Sequence, residues 1–183
     1  MAIQKKKKRF FEVELPLIRR STQLQAFSPQ ELDGRFIKYD LTRTMKGKSL
    51  MITFKIKVKD DEATVLPKEV KIMPYFLRRV VRKGTDYVED SFSTNCKDAR
   101  LRIKPFLVTR RRVSRRVRKA LRNKAREELI NYVKDKDFET LFDELLKNKI
   151  QKPLSQKLKK IYPLSTCELR VLKVEKFPGQ EEE

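Results

Sequence analysis

The segment from Arg100 to Arg126 holds 13 Arg or Lys in 27 residues and no Asp or Glu. No folded core accepts such a block, because a charge buried without a partner is strongly unfavourable. Whatever forms here must lie at the surface, on an element with a second, apolar side for attachment. Like charges also repel one another, so the arrangement becomes favourable when a polyanion stands opposite. Arg outnumbers Lys in the block, and the planar guanidinium suits bidentate contact with phosphate oxygens. The implied ligand is nucleic acid, with structured RNA ahead of DNA.

On a helical wheel at about 100° per residue, Arg112, Arg115, Lys119, Arg122 and Arg126 fall within an arc of roughly 80°. Val113, Val117, Ala120 and Leu121 fall on the other side. A helix from about Arg112 to Val133 would thus pack by one side and offer a straight cationic row to a phosphate backbone. Solvated surface helices usually mix signs at i, i+4 spacing, whereas this one has no acid before Glu127. Arg110, Arg111 and Arg116 extend the candidate contact. Lys5, Lys6, Lys7, Lys8 and Arg9 form a second one, a basic arm or a nuclear address. A membrane surface is the rival partner for a basic amphipathic helix, but the Val and Ala of this apolar face are weak anchors.

The whole chain agrees. Its 183 residues carry a net charge of +21, and 39% are apolar, enough for a real core rather than wholesale disorder. Four glycines leave no Gly-rich phosphate cradle. With no His, and with Cys96 and Cys167 far apart, an ordinary zinc site has no ligand set; reduced, half-buried thiols are expected. No cofactor is expected. Acids interrupt the apolar residues after Arg9, so no signal peptide is read. No apolar stretch nears the ~20 residues of a membrane span, which implies a soluble intracellular protein. General acid–base catalysis mostly uses His, so an enzyme is not expected. The catalytic alternative is a metal-dependent nuclease with Asp86, Glu89 and Asp90 around Mg²⁺. A free-standing RNA chaperone or DNA-compacting protein is the non-catalytic alternative.

Periodicity predicts an α+β fold, an antiparallel β-barrel or sandwich body with helices packed around it. A short strand ends at Leu15, with Phe11, Val13 and Leu15 alternating against acids. Residues 21–34 read as loop, and Arg35–Leu41 as a strand. Met45–Lys48 is a turn, and Met51–Lys59 is the cleanest strand: Ile52, Phe54, Ile56 and Val58 face one way. Lys55, Lys57 and Lys59 face the other, as a wet surface or a basic one. Asp60, Asp61 and Glu62 read as a turn, Glu69–Met73 as a strand, and Tyr75–Lys83 as a helix closed by Gly84. Tyr75 and Phe76 can stack on bases, although core packing is the commoner use of aromatics. Strands are expected at 86–93 and 99–108, with Pro105 forcing an edge or a bulge on the second. Helices follow at Asp137–Lys149, with Asp137 as N-cap, and from Pro153 to Pro163, bearing Leu154, Leu158 and Ile161. A last strand carries Cys167, Leu169 and Val171. The expected organisation is a basic arm at 1–9, one barrel-plus-helices domain at 10–178, and a disordered acidic tail at 179–183.

Several stretches resemble a known family. They are Leu32-Asp33-Gly34-Arg35 with Tyr39-Asp40-Leu41; Phe76-Leu77-Arg78-Arg79-Val80-Val81-Arg82-Lys83-Gly84; Leu101 to Thr109 running into the Arg-rich helix; and Lys160-Ile161-Tyr162-Pro163-Leu164 with Glu168 to Val174. In order and spacing they are similar to the small-subunit ribosomal protein family of archaea and eukaryotes called S-three-a in eukaryotes. The resemblance implies a β-barrel with surrounding helices. It also implies a cytoplasmic ribosomal place on the small-subunit platform, near the mRNA exit and the 3′ end of the rRNA, where the protein contacts rRNA backbone and neighbouring platform proteins, with mRNA nearby. Three departures stand out. Lys8-Arg9-Phe10-Phe11 replaces the family's Lys-Lys-Trp, and Lys97-Asp98-Ala99 replaces a Lys-Asp-Gly hairpin, so that turn must close differently. The C-terminal extension of eukaryotic members is missing, which favours a compact, archaeal type of member.

Overall fold

The computed structural model describes residues 7–45, 47–59 and 62–177. Two sheets appear among them. The smaller pairs β1 (Arg9–Leu15) with β2 (Arg20–Ala26), antiparallel from Arg9 opposite Ala26 to Leu15 opposite Arg20. The larger has the order β3 (Phe36–Asp40), β4 (Leu50–Lys59), β5 (Glu62–Ile72), β9 (Leu164–Lys176), β8 (Arg100–Thr109), β6 (Tyr87–Glu89), with β7 (Phe92–Asn95) also on β8. A barrel needs its first and last strands to pair. Here β3 and β6 end the order with no ladder between them among the described residues, so the expected barrel is an open antiparallel sheet. Four helices accompany it: α1 (Pro74–Val80), α2 (Arg115–Val133), α3 (Phe138–Leu146) and α4 (Gln151–Lys159).

The chain divides into two compact units. One comprises residues up to Tyr39 together with Thr53–Lys68. Its core gathers Val13, Leu15, Ala26, Leu32, Phe54 and Ile56, all fully buried. The Gly34 amide donates to the Ile56 carbonyl at 3.0 Å, and the Ile56 amide donates to Arg35 at 2.9 Å. Gly34 has φ 73° there, a left-handed conformation that glycine adopts without strain. The second unit comprises Asp40–Ile52 and the chain from Glu69 onward. Here α2 lies against β6 and β7, and α4 packs on β9 and α2. Leu121, Leu129, Leu141, Phe142 and Leu158 are buried beneath the helices, with Leu101, Ile103, Leu107 and Val174 in the sheet.

The strand expected at 86–93 is split, and Pro105 accounts for the split. β6 runs Tyr87 opposite Val108 to Glu89 opposite Phe106, and β7 runs Phe92 opposite Ile103 to Asn95 opposite Arg100. Both keep one register along β8, and the gap at Asp90 and Ser91 faces Pro105 and Lys104. Proline offers no N–H to a ladder. On the other side of β8 the register with β9 shifts between Lys104 and Pro105. The expected bulge is therefore present, but the expected edge is not: β8 is flanked on both sides.

Other differences are local. β2 forms within the expected 21–34 loop, and β5 begins at Glu62, long before Glu69. α1 stops at Val80 rather than Lys83, and α4 starts at Gln151 rather than Pro153. The turn at Lys97-Asp98-Ala99 closes through Cys96: its amide donates to the Ala99 carbonyl at 2.8 Å, and the Ala99 amide approaches its Sγ at 3.2 Å. Both cysteines are free and more buried than expected. Burial, reinforced by neighbouring Glu168, pushes the Cys167 thiol up to about 12. The tail at 179–183 lies outside the described residues, as do Lys5 and Lys6.

Candidate nucleic-acid interface

The basic block begins where β8 ends. Thr109 is fully buried, and its hydroxyl lies 2.9 Å from the Asp86 carbonyl and 2.7 Å from the Arg111 carbonyl. It also accepts from the Asp86 amide at 3.1 Å. The Asp86 carboxylate Oδ2 accepts from the Val113 amide at 2.9 Å. The connector carrying Arg110, Arg111 and Arg112 is thus tied at both ends to Asp86, the residue before β6, and its three arginines are exposed. Ser114 then caps α2: its hydroxyl accepts from the Val117 amide at 3.4 Å, as short polar residues do at helix starts.

α2 attaches through Leu121, Ala125, Leu129 and Val133, all buried. Their spacing of four residues drifts by roughly 40° per step on a helix, so the attached face winds around the axis. In the first half of α2 this leaves Arg115, Arg116, Lys119, Arg122 and Arg126 exposed. In the second half the same side turns inward with Val133. The cationic row therefore spans the turns from Arg115 to Arg126 and stops there. Arg112, expected in the row, precedes the helix and belongs to the connector. Ala120, expected on the packing side, is exposed, because Leu121 and Ala125 fill the contact.

Among the described residues, none of Arg110, Arg111, Arg112, Arg115, Arg116, Lys119, Arg122 and Arg126 has an acidic partner. Arg126 is steadied by the Phe92 ring, its guanidinium 5.4 Å from the centroid. Lys124, by contrast, is paired with Glu127 at 3.1 Å and Glu128 at 3.3 Å. In the other unit, Lys7, Lys8 and Arg9 are exposed, and the Lys8 ammonium sits 5.4 Å from the Phe27 ring centroid.

The proposed nuclease acids have other roles. Asp86 holds the connector, Glu89 accepts from Arg170 at 3.0 Å, and Asp90 accepts from the Ser91 amide at 2.9 Å. Among the described residues no group of three potential metal ligands comes together, and no helix is long and apolar enough to cross a membrane. Asp86 and Thr109 are the residues that sequence reasoning missed as supports of the interface. Thr109 ending an apolar run beside an arginine triplet was the available signal. Tyr75, read chiefly as core, is 51% exposed.

Comparison with known proteins gives this architecture a lineage. Residues 4–178 match the model of the Ribosomal S3Ae family. The chain is 31% identical over 166 residues to the small ribosomal subunit protein eS1 of Nanoarchaeum equitans, covering 86% of this chain and 84% of that one. It is 28% identical to the eS1 protein of Halorubrum lacusprofundi over 85% of this chain and 74% of that one. The corresponding figures for the eS1 protein of Methanothermobacter thermautotrophicus are 28%, 71% and 68%. With a family match that runs from the basic arm past the last strand, the chain belongs to the Ribosomal S3Ae family of ribosomal proteins.

Proposed function

We propose that this protein is a structural constituent of the small ribosomal subunit in the cytoplasm, where it binds rRNA through Arg110, Arg111, Arg112, Arg115, Arg116, Lys119, Arg122 and Arg126. The observation that carries the reading is the row of cations on α2 without acidic partners, held on a helix whose start is fixed by Ser114, Thr109 and Asp86. Rigid presentation leaves little side-chain and backbone freedom to lose on binding. The contact reads phosphate, which positions the RNA and carries no sequence information. Lys5, Lys6, Lys7, Lys8 and Arg9 make a second contact. A place on the platform near the mRNA exit and the rRNA 3′ end, beside other platform proteins, follows from the family likeness, and the role there is architectural rather than catalytic.

Sedimentation of a native extract through sucrose gradients at moderate and high salt tests this. The chain is expected to travel stoichiometrically with the small subunit and to stay there at high salt. Recovery at the top of both gradients would sink the reading and favour a free RNA chaperone or DNA-compacting protein.

A further inference from the structure

A groove of about 330 Å³ opens between α1 and the sheet, lined by Leu77, Arg78, Val81, Tyr87, Glu89 and Phe106. Its floor is aromatic. Tyr87 is 53% exposed and stacks on the buried Phe106, with ring centroids 6.0 Å apart and planes 27° from parallel. Alternation along β6 sends Val88 into the core and leaves Tyr87 and Glu89 on the groove side. Glu89 is engaged through Oε2 by Arg170 at 3.0 Å, and its Oε1 accepts no hydrogen bond from the described residues. One cation lines it, the exposed Arg78, and the exposed Arg82 and Lys83 follow in the chain beyond the lining. The Arg110–Arg112 connector leaves β8 two residues after Val108, the register partner of Tyr87.

We propose that this groove holds one unpaired RNA nucleotide, its base stacked on Tyr87 and its amino edge donating to Glu89. A flat apolar floor, a carboxylate acceptor and a flanking guanidinium match the three parts of a nucleotide: the π-face, the base edge and the phosphate. An apolar side chain from a neighbouring protein would use the floor and leave Arg78 and Glu89 without a partner in it. A paired base does not fit the geometry, since its face is covered and its edge is engaged. The α2 row grips duplex backbone, and the groove adds recognition of a splayed base. The inference rests on the RNA-binding reading above.

The test compares two labelled RNA probes by fluorescence anisotropy at fixed salt, a hairpin with a purine loop and the same stem as a blunt duplex. Tyr87→Ala is expected to weaken hairpin binding about tenfold, the usual scale for one lost base stack, and to leave the duplex unchanged. Tyr87→Phe keeps the ring and should bind the hairpin like the parent chain. Glu89→Gln should shift preference among loop bases, because it exchanges an acceptor oxygen for a donor. A 2-aminopurine in the loop should be quenched by the parent chain and not by Tyr87→Ala. If Tyr87→Ala leaves the hairpin affinity intact, or weakens hairpin and duplex equally, the groove does not hold a base and the proposal is overturned. The double variant Arg115→Glu/Arg122→Glu separates the two readings: loss on both probes upholds the RNA interface whatever Tyr87 does, and loss on neither overturns the interface itself.

Discussion

The two halves of α2 handle charge in opposite ways. In the first half Arg115, Arg116, Lys119, Arg122 and Arg126 stand exposed, without acidic partners among the described residues, and only Lys124, at its end, reaches the acids of the second. From Glu127 onward the charges are matched within the protein: Glu128 pairs with Lys124 and with Lys157 of α4, and Lys136 pairs with Glu144 of α3 at 2.7 Å. The Tyr132 hydroxyl also donates to Glu144 at 3.0 Å, and its ring lies 3.9 Å from the Lys136 ammonium. The second half uses its polar groups to hold α3 and α4, while the first half holds the cations proposed to meet RNA. Both share one apolar attachment, so a single helix carries a foundation and the proposed contact surface end to end. The boundary falls where the winding packed face reaches Leu129 and Val133.

This contrast can be broken from either side. The largest effect belongs to the foundation. Leu129→Ala opens a cavity under the second half and should cost about 3 kcal/mol, seen in thermal denaturation as a fall in Tm of roughly 6–12 °C for a domain of this size. Next comes the contact surface. Arg115→Glu/Arg122→Glu should weaken rRNA binding at least tenfold and reduce the salt slope by about two, one per lost phosphate contact. Its stability should change by no more than about 0.5 kcal/mol, as expected for exposed positions. Should the double variant lose several degrees of Tm, the first half is foundation too, and the division is wrong.

Glu144→Ala removes the acceptor shared by Tyr132 and Lys136 and should cost about 1 kcal/mol, with RNA affinity unchanged in a filter-binding titration. A change in affinity there would show that the second half also meets RNA. The smallest effect is a pH response. Hydrogen bonding from Lys157, against the opposing effect of burial and with help from Lys124, holds the Glu128 carboxyl below its ordinary value. A carboxyl depressed in the folded state contributes stability above its unfolded pKa and loses it as pH falls through the folded one. Acidification below about 4.5, the ordinary Glu value, should therefore lower Tm, and Glu128→Gln should flatten that slope. Arg115 has no acidic partner among the described residues, so an equal flattening in Arg115→Gln would contradict the assignment.

Much of this was legible in the sequence, for reasons specific to each element. β4 announces itself because Ile52, Phe54 and Ile56 alternate with Thr53, Lys55 and Lys57, and the three apolar residues are fully buried. α3 does so because Phe138, Leu141, Phe142 and Leu145 repeat at helical spacing and form its buried face. β2 was hidden: Arg20-Ser21-Thr22-Gln23-Leu24-Gln25-Ala26 carries little apolar pattern, and its strand exists because β1 offers a ladder along its whole length. The first part of β5 was hidden by Pro67, which breaks the local signal while the strand runs through it from Glu62 to Ile72. The exposed cations of the interface were readable from charge alone. The Asp86–Thr109 support was not, because it joins residues 23 apart through a register that no local pattern encodes.

The position of β9 has a consequence for how the molecule comes to exist. The last strand in chain order lies in the interior of the sheet, between β5 and β8, and pairs with β8 from Thr109 opposite Leu164 to Arg100 opposite Lys176. All three long helices lie in the 54 residues between Thr109 and Leu164 (positions 110 to 163). Closing so long an excursion costs loop entropy before any ladder bond repays it, and such distant pairings slow folding. During synthesis β8 therefore waits with one side of its ladder open until β9 has emerged, while the helices between them can already coil. α3 and α4, which rest on β9, are thus made before the strand they rest on, whereas β6 and β7, under the arginine-bearing helix, precede it.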